Sequence, residues 1–179
     1  INEKLKNKLN FINLGTAVVI ANSIENLYQL NVKLKWPNDV LIKNKKIAGI
    51  LIETSSKNDK IYNTVIGIGL NVNQTSFQGN FKNEPTSIKL EFGQTVEREK
   101  LLAEILNNFE TMINEVKENS NFILKEWREK SNMIGEKISV QQDDKITDGI
   151  FYDIDDNGLL LLKTKNEILT ISSGDVTIL

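Results

Sequence analysis

The chain has 179 residues, of which 40% are hydrophobic and 26% are charged, and its formal net charge at pH 7 is −2. These values are typical of a globular protein with one ordinary domain, or one medium and one small domain. The sequence contains no cysteine and no histidine, which excludes disulfides, thiolate and imidazole metal sites, cysteine nucleophiles and the Ser-His-Asp triad. Any chemistry must use carboxylates, lysine, arginine, hydroxyls, amides, the backbone or a bound metal ion.

The sequence also bears on location and nucleic-acid binding. No apolar run approaches the roughly 18 residues that indicate a membrane span, and the chain does not start with a signal-peptide pattern. Positive and negative charges are mixed, without the basic block typical of a nucleic-acid surface. We therefore expect a cytoplasmic protein that contacts no membrane. Because the first residue is Ile1 and not Met, we expect the chain to begin within a longer protein.

The first predicted element is a helix over residues 14–30, where apolar residues recur at steps of three and four. A short strand follows at 32–35. Its two lysines, Lys33 and Lys35, alternate outward and indicate a solvated face. Pro37 fixes its own φ angle and favours an extended conformation before it.

A run of strands comes next. Residues 40–43 and 46–54 predict a hairpin around Asn44. Residues 55–60 predict a polar loop, and the apolar residues of 61–72 predict another strand. The central part of the chain is therefore expected to form a compact meander of consecutive strands.

Helices dominate the following stretch. Residues 73–84 are polar and irregular, and 86–92 predict a short helix. Thr95 is a candidate N-cap for a long helix over 96–116, which carries an apolar stripe. A further helix is predicted from Ser120 to about residue 131.

Beyond Gly135 the strands are short and the turns are frequent. The sequence Asp155-Asp156-Asn157-Gly158 is a strong turn signal. Five short strands in so few residues favour a small barrel. They are predicted at residues 137–142, 147–153, 158–163, 167–172 and 176–179. We therefore predict two domains, an α/β body over 1–133 and a β-barrel over 134–179.

One strand carries two glycines at alternating positions, Gly67 and Gly69. Strand periodicity places both on one face together with Asn71. Such a face forms a shallow slot with a floor of backbone, which suits a flat ligand. The alternative is that a neighbouring helix or strand packs closely against the glycines.

Polar residues flank the apolar strands before it. Each has an ordinary explanation: Asn38 and Asp39 as a turn, Lys46 as a solvated lysine at a strand end, and Gly49 as a bulge. Because strands that are consecutive in sequence are usually neighbours in space, these residues are also expected to converge. One lysine, one acid and two amides would then lie beside the glycine floor.

Three segments in this order and spacing resemble the catalytic domain of biotin protein ligases. They are KWPND at 35–39, KIAGILIE at 46–53 and GIGLN at 67–71. Residues 135–179 resemble the C-terminal SH3-like barrel of the same family. The resemblance implies an α+β fold: a mixed or antiparallel sheet with packed helices, of the class II synthetase-like type and truncated, followed by an SH3-like barrel.

The resemblance also implies a reaction in two steps. The carboxylate of biotin attacks the α-phosphate of ATP, which gives biotinyl-5′-AMP and pyrophosphate. A lysine of the biotin carboxyl carrier domain of acetyl-CoA carboxylase then attacks this adenylate. Biotin and ATP are the implied substrates, Mg²⁺ is the implied metal, and the family allows a homodimer.

Residue roles follow from the same resemblance. Lys46 is implied to hold the biotin carboxylate and the α-phosphate. Asp39 is implied to orient or deprotonate the incoming amine, or to help hold magnesium. Asn38 and Asn71 are implied to contact the nucleotide. The walls of the biotin pocket are implied to be Gly49, Leu51, Gly67, Gly69 and Leu70.

The sequence departs from the family in one respect. The family has a Gly/Arg-rich biotin loop and a Ser-Thr-Asn segment before KWPND, and neither occurs here. We therefore expect the first half of the catalytic domain to be missing, the 179 residues to be inactive alone, and no DNA-binding helix-turn-helix to be present. Two other functions remain open: a lipoate or octanoyl ligase, and a non-catalytic binding module of the same fold.

Overall fold

The computed structural model describes residues 8–57 and 60–179. The helices are α1 (Leu9–Tyr28), α2 (Ile88–Phe92), α3 (Arg98–Glu118) and α4 (Asn121–Lys130). The strands are β1 (Lys33–Lys35), β2 (Asp39–Ile42), β3 (Lys45–Lys57), β4 (Lys60–Leu70), β5 (Lys137–Gln142), β6 (Lys145–Ile154), β7 (Leu160–Lys163), β8 (Ile168–Ile171) and β9 (Asp175–Ile178). Within these described residues, every helix is too short or too polar to cross a membrane.

The first sheet is an antiparallel meander in the order β1-β2-β3-β4. Lys43 and Asn44, at the turn between β2 and β3, have φ angles of 50° and 63°, the left-handed geometry that a tight hairpin turn requires. Helix α1 packs against β1, β2 and β3, and also against α3 and α4. The core therefore lies between this sheet and the helices, which leaves the opposite face of the sheet available for a site.

The second sheet has five antiparallel strands in the order β8-β7-β6-β5-β9. Its interior is apolar, and Phe151 stacks on Trp127 of α4 with ring centroids 6.1 Å apart. Each of the five predicted strands overlaps one observed strand. The α+β class with antiparallel sheets is confirmed.

Specific contacts join the second sheet and its loops to the body formed by the first sheet and the helices. The Trp36 indole Nε1 donates a hydrogen bond to the carbonyl of Gly158 at 3.2 Å. Gly158 has a φ of 77°, and a Cβ there would lie 2.9 Å from Leu14 Cδ1. Arg128 donates to the Asp153 carboxylate at 2.8 Å. The turn predicted at Asp155–Gly158 thus also packs against the first sheet and helix α1.

Three local predictions were wrong. Helix α1 starts at Leu9 and not at residue 14, because Phe11 and Ile12 are buried in the core. Residues 55–57 were predicted as loop but continue β3, where Ser55 pairs with Asn63; the centre of that predicted loop, 58–59, lies outside the described residues. The long helix has Glu97 at its N-cap and not Thr95.

A contact with the preceding loop explains the late start of α3. The backbone N–H of Val96 donates to the Asn73 side chain at 2.9 Å, and the same side chain donates to the Val96 carbonyl at 2.9 Å. This pair of bonds holds the chain against the preceding loop. The helix therefore begins only after Glu97.

Candidate functional site

One row of residues crosses all four strands of the first sheet. Lys35 pairs with Asp39, Asp39 pairs with Gly49, and Gly49 pairs with Gly69. Directly paired residues of antiparallel strands point to the same face. The row therefore has two charged side chains at one end and bare backbone at the other.

The glycine face is open. A Cβ added to Gly69 would meet only the Gly49 carbonyl oxygen, at 3.8 Å, and one added to Gly67 would meet Leu51 atoms at 3.7 and 3.9 Å. Both are ordinary contacts along the same sheet. No helix or strand among the described residues packs on this face, so close packing does not explain these two glycines.

Lys46 extends over the third glycine. Its ammonium lies 2.5 Å from the Asp39 carboxylate. A Cβ on Gly49 would be 3.1 Å from Lys46 Cε and 3.1 Å from Nζ, closer than most real contacts. The missing side chain of Gly49 therefore leaves the space in which Lys46 lies. The Lys46 side chain is 39% exposed.

The backbone of Lys46 is held independently of its side chain. Its N–H donates to the Glu84 carbonyl at 2.8 Å, and its carbonyl accepts from the Thr86 N–H at 2.9 Å. The segment that follows the irregular loop is thus fastened beside the site.

An open groove of about 530 Å³ lies over this part of the sheet. Its lining combines the Lys46 amine with backbone, amides and two aromatic rings. The lining residues are Lys46, Ala48, Gly49, Gly69, Leu70, Asn71, Gln74, Phe77, Phe81, Asn83 and Pro85. A flat backbone floor, aromatic walls and one cation suit a planar ligand with an anionic group.

The 73–84 loop supplies side chains that the sequence analysis did not identify. Phe77 and Phe81 line the groove, and Asn83 donates to the second oxygen of Asp39 at 3.5 Å. The available signal was the occurrence of two phenylalanines in an otherwise polar, irregular segment. Burial in a core does not explain such residues on a surface loop.

Not all of the predicted site residues lie in this groove. Asn38 donates to the Ile50 carbonyl at 2.6 Å and, with Leu51, lines a neighbouring groove of about 340 Å³. Gly67 lies next to Leu51 in the strand pairing. The structure therefore brings Lys46, Asp39, Gly49, Gly69 and Asn71 together and places Asn38, Leu51 and Gly67 along the same sheet.

Leu70 has a position between two grooves. It borders the groove of about 530 Å³ that Lys46 lines, which is called the Lys46 groove below. Its side chain, however, points to the opposite face of the strand from Gly69, and it pairs with buried Ala48. It also lines a third, apolar groove against Leu101 and Ile105 of α3. Its side chain thus belongs to the helix-facing side of the sheet.

Lys35 is not the solvated residue that its strand pattern predicted. It is only 8% exposed, and burial lowers the pKa of its amine, an effect that Asp39 and Asp175 oppose and that Lys82 and Lys46 reinforce. Neither a hydrogen bond nor an ion pair joins the Lys35 side chain to another residue of the described ranges. Lys82 of the 73–84 loop and Asp175 of β9 lie close enough to affect its amine, and the local pattern of β1 does not reveal these neighbours.

The donors do not form a metal centre. Within residues 8–57 and 60–179 there is no group of three or more histidine, cysteine, aspartate or glutamate side chains that could hold an ion. The two oxygens of Asp39 face Lys46 and Asn83. The arrangement does not fit a metal held by the protein alone.

Two family models match the chain. The model described as "Biotin/lipoate A/B protein ligase family" matches residues 3–71, and "Biotin protein ligase C terminal domain" matches residues 133–179. The first match contains the strands that carry Lys46 and the glycines. The second contains all of the second sheet.

Curated relatives and solved structures agree with these models. The chain is 33% identical over 172 residues to "Bifunctional ligase/repressor BirA" of Bacillus spizizenii, covering 92% of this chain and 52% of that protein. It is 32% identical over 148 residues to "Biotin--[acetyl-CoA-carboxylase] ligase" of Mycobacterium tuberculosis, covering 80% of this chain and 52% of that protein. The chain thus spans about half the length of these relatives.

The fold matches the apo structure of the biotin protein ligase from Aquifex aeolicus with a TM-score of 0.88 at 25% identity, covering 99% of this chain and 79% of that one. The same ligase in complex with biotin and ATP matches with a TM-score of 0.84 at 25% identity, covering 95% and 72%.

Proposed function

Because the chain belongs to the biotin protein ligase family, we propose that it forms the C-terminal part of an ATP-dependent ligase that attaches biotin to a carrier protein. In the first step a carboxylate oxygen of biotin attacks the α-phosphorus of ATP, and pyrophosphate leaves. In the second step the ε-amine of the acceptor lysine attacks the acyl carbon, and AMP and a proton leave. The observation that carries the proposal is the Lys46 amine beside an open glycine floor.

Lys46 would stabilise the charge that develops in the first step. Two anionic groups, the biotin carboxylate and the α-phosphate, must approach each other, and an ammonium between them offsets their repulsion. Adenylate formation depends mainly on such positioning and positive charge, so the absence of histidine is no obstacle. In the resting structure the same ammonium is held by Asp39, at the edge of the groove.

Asp39 would act in the second step. A carboxylate can accept a hydrogen bond from the incoming amine and take its proton. The alternative role of Asp39, holding magnesium, is not favoured by the donors present, and we assign no step to Mg²⁺. That ion usually binds through one or two carboxylates together with the phosphates of the nucleotide.

The remaining predicted residues would shape the binding surface. Gly49, Gly67 and Gly69 would let the flat ring system of biotin lie on the sheet, with the side chain of Leu51 and the backbone of Leu70 at its borders. Asn71 lines the Lys46 groove, and Asn38 lines the adjacent one. We propose that both amides contact the nucleotide.

The test is biotinylation by the full-length protein. Purified biotin carboxyl carrier domain of acetyl-CoA carboxylase is incubated with biotin and ATP, and labelling is measured by mass spectrometry. Lys46→Gln should reduce the rate at least about 100-fold, as is typical when a charge-stabilising group is lost. Lys45→Gln is the matched control, because that lysine pairs with Glu84 at 2.8 Å and does not line the groove. Equal rates for the Lys46 variant and the parent would remove this role.

Two further measurements separate the alternatives. If lipoate stabilises the full-length protein against heat and biotin does not, the substrate is lipoate. If the protein binds the carrier domain without affinity for biotin or ATP, it is a binding module. We also propose a homodimer and a cytoplasmic location, which sedimentation of the purified protein and microscopy of a tagged form would check.

A further inference from the structure

Lys35 is a buried cation whose side chain has no partner among the described residues, and it lies at the end of the row of residues that crosses the site. It is paired in register with Asp39 across the first two strands. Directly opposed residues of antiparallel strands have Cβ atoms about 5 Å apart. The Lys35 side chain is therefore within reach of the Asp39 carboxylate, although the ion pair in the structure is made by Lys46 instead.

The other charges around Lys35 are already engaged. Asp175 of β9 lies 3.5 Å from the Lys82 ammonium, and both side chains are exposed to water, with 73% and 48% of their surface accessible. Solvent screens such a pair and weakens its effect on neighbours. Asp39, with a side chain only 13% exposed, is the acid that Lys35 affects most directly.

The substrate changes the balance of charge at Asp39. Under the proposed function, Lys46 must turn its ammonium to the carboxylate of biotin and the α-phosphate. Asp39 would then be a largely buried carboxylate without its cation, which is costly. A second ammonium on the opposite side removes this penalty.

We propose that Lys35 is a positioning residue that neutralises Asp39 when Lys46 engages the substrate, and so allows Lys46 to leave its resting ion pair. This inference rests on the proposed function. Its burial and its pairing in register with Asp39 support the inference, and burial lowers the pKa of Lys35 while the nearby Asp39 carboxylate opposes that effect. The facing groups are Asp39, Lys82, Asp175 and Lys46.

A double-mutant cycle tests the inference in the full-length protein. Biotin-dependent exchange of labelled pyrophosphate into ATP is measured for the parent, Lys35→Met, Asp39→Asn and the double variant. We expect Lys35→Met to lower kcat about tenfold, a coupling of ordinary size, and to have almost no effect in the Asp39→Asn background. Lys35→Arg should restore most of the rate, and Lys33→Met, on the same strand, should leave the rate unchanged.

The opposite results would overturn it. If Lys35→Met costs the same factor with and without the Asp39 carboxylate, Lys35 does not act through that residue. The same conclusion follows if Lys33→Met is as harmful as Lys35→Met. A parent protein with no exchange activity would instead refute the proposed function.

A chemical modification experiment, which needs no enzyme activity, provides a second test. Acetylation of Lys35 by acetic anhydride is followed by mass spectrometry across a range of pH, with and without biotin and ATP. We expect biotin and ATP to raise the pH at which acetylation of Lys35 is half-maximal. The increase should be larger in the parent than in Asp39→Asn, because only the parent can form the new ion pair. Lys33 on the same strand is the control, because its acetylation shows how far the negative charge of the nucleotide alone shifts the reaction of a nearby lysine. An equal shift in both proteins would contradict the inference.

Discussion

Glycines in the two sheets serve opposite purposes. In the first sheet, an added Cβ at Gly67 or Gly69 would meet nothing closer than 3.7 Å. In the second, a Cβ at Gly149 would lie 2.7 Å from the Lys163 carbonyl oxygen and 2.9 Å from the Leu162 side chain. A strand glycine therefore indicates a ligand floor only when the space above it is unfilled. Both explanations that the sequence allowed for such a glycine occur in this one chain.

The largest expected effect is on the packed glycine. Gly149→Ala should lower the free energy of unfolding by about 3 kcal/mol, at the upper end of the cost of overpacking, because the nearest atom is a backbone oxygen that moves little. Urea unfolding of the full-length protein measures it. Biotin affinity of the folded fraction should not change. A loss of stability below about 0.5 kcal/mol, the size of an ordinary surface substitution, would mean that the second sheet adjusts freely.

The open glycine should behave in the reverse way. Gly69→Val should weaken biotin binding about 30-fold, which is about 2 kcal/mol, because the branched side chain fills the floor of the groove. Its unfolding free energy should stay near that of the parent, since valine suits a strand. Calorimetric titration with biotin is the measurement. Unchanged affinity would show that the ligand does not lie on this floor.

An intermediate effect is expected at Gly49. Alanine there has no room beside Lys46 Cε and Nζ, each 3.1 Å from the new methyl group, so the lysine must move by a few tenths of an ångström. We expect the rate of biotin-dependent pyrophosphate exchange into ATP to fall about tenfold, because small displacements of a charge-stabilising group are costly. Gly67→Ala, where the nearest atom is 3.7 Å away, is the control and should keep more of its rate. The reverse order would place the reacting groups near Leu51 instead.

The smallest effect concerns the support of the first sheet. Burial raises the pKa of Glu91, but hydrogen bonds from Thr86 and Lys43 and the charge of Lys43 outweigh it, and the net pKa is lowered. A carboxyl whose folded pKa is depressed stabilises the protein above its unfolded pKa and loses that contribution as pH falls through the folded pKa. Glu91→Gln should therefore cost about 1 kcal/mol at pH 7. The difference should begin to shrink as the pH falls below the unfolded pKa of about 4.3 and should vanish only below the lower folded pKa. Urea unfolding against pH checks it, and a pH-independent difference would contradict the assignment.

Much of the site could be predicted because it depends on local sequence. The alternation of Gly67 and Gly69, and the position of Lys46 and Asp39 at neighbouring strand ends, follow from strand period and chain order. The charged neighbours of Lys35, which include Lys82 and Asp175, and the contribution of Phe81 could not be predicted, since they depend on where a long loop and a distant strand lie. Thr95 failed for the same reason: a side chain more than twenty residues earlier fixes the start of α3.

The hydrogen bond from Trp36 to Gly158 has a practical consequence. The chain has two tryptophans, and both lie at the seam between the sheets, one bonded to the Gly158 carbonyl and Trp127 stacked on Phe151. Each indole would become exposed to solvent if the second sheet detached, even with every helix intact. The protein's own ultraviolet emission is therefore a label-free gauge of whether its two halves are docked.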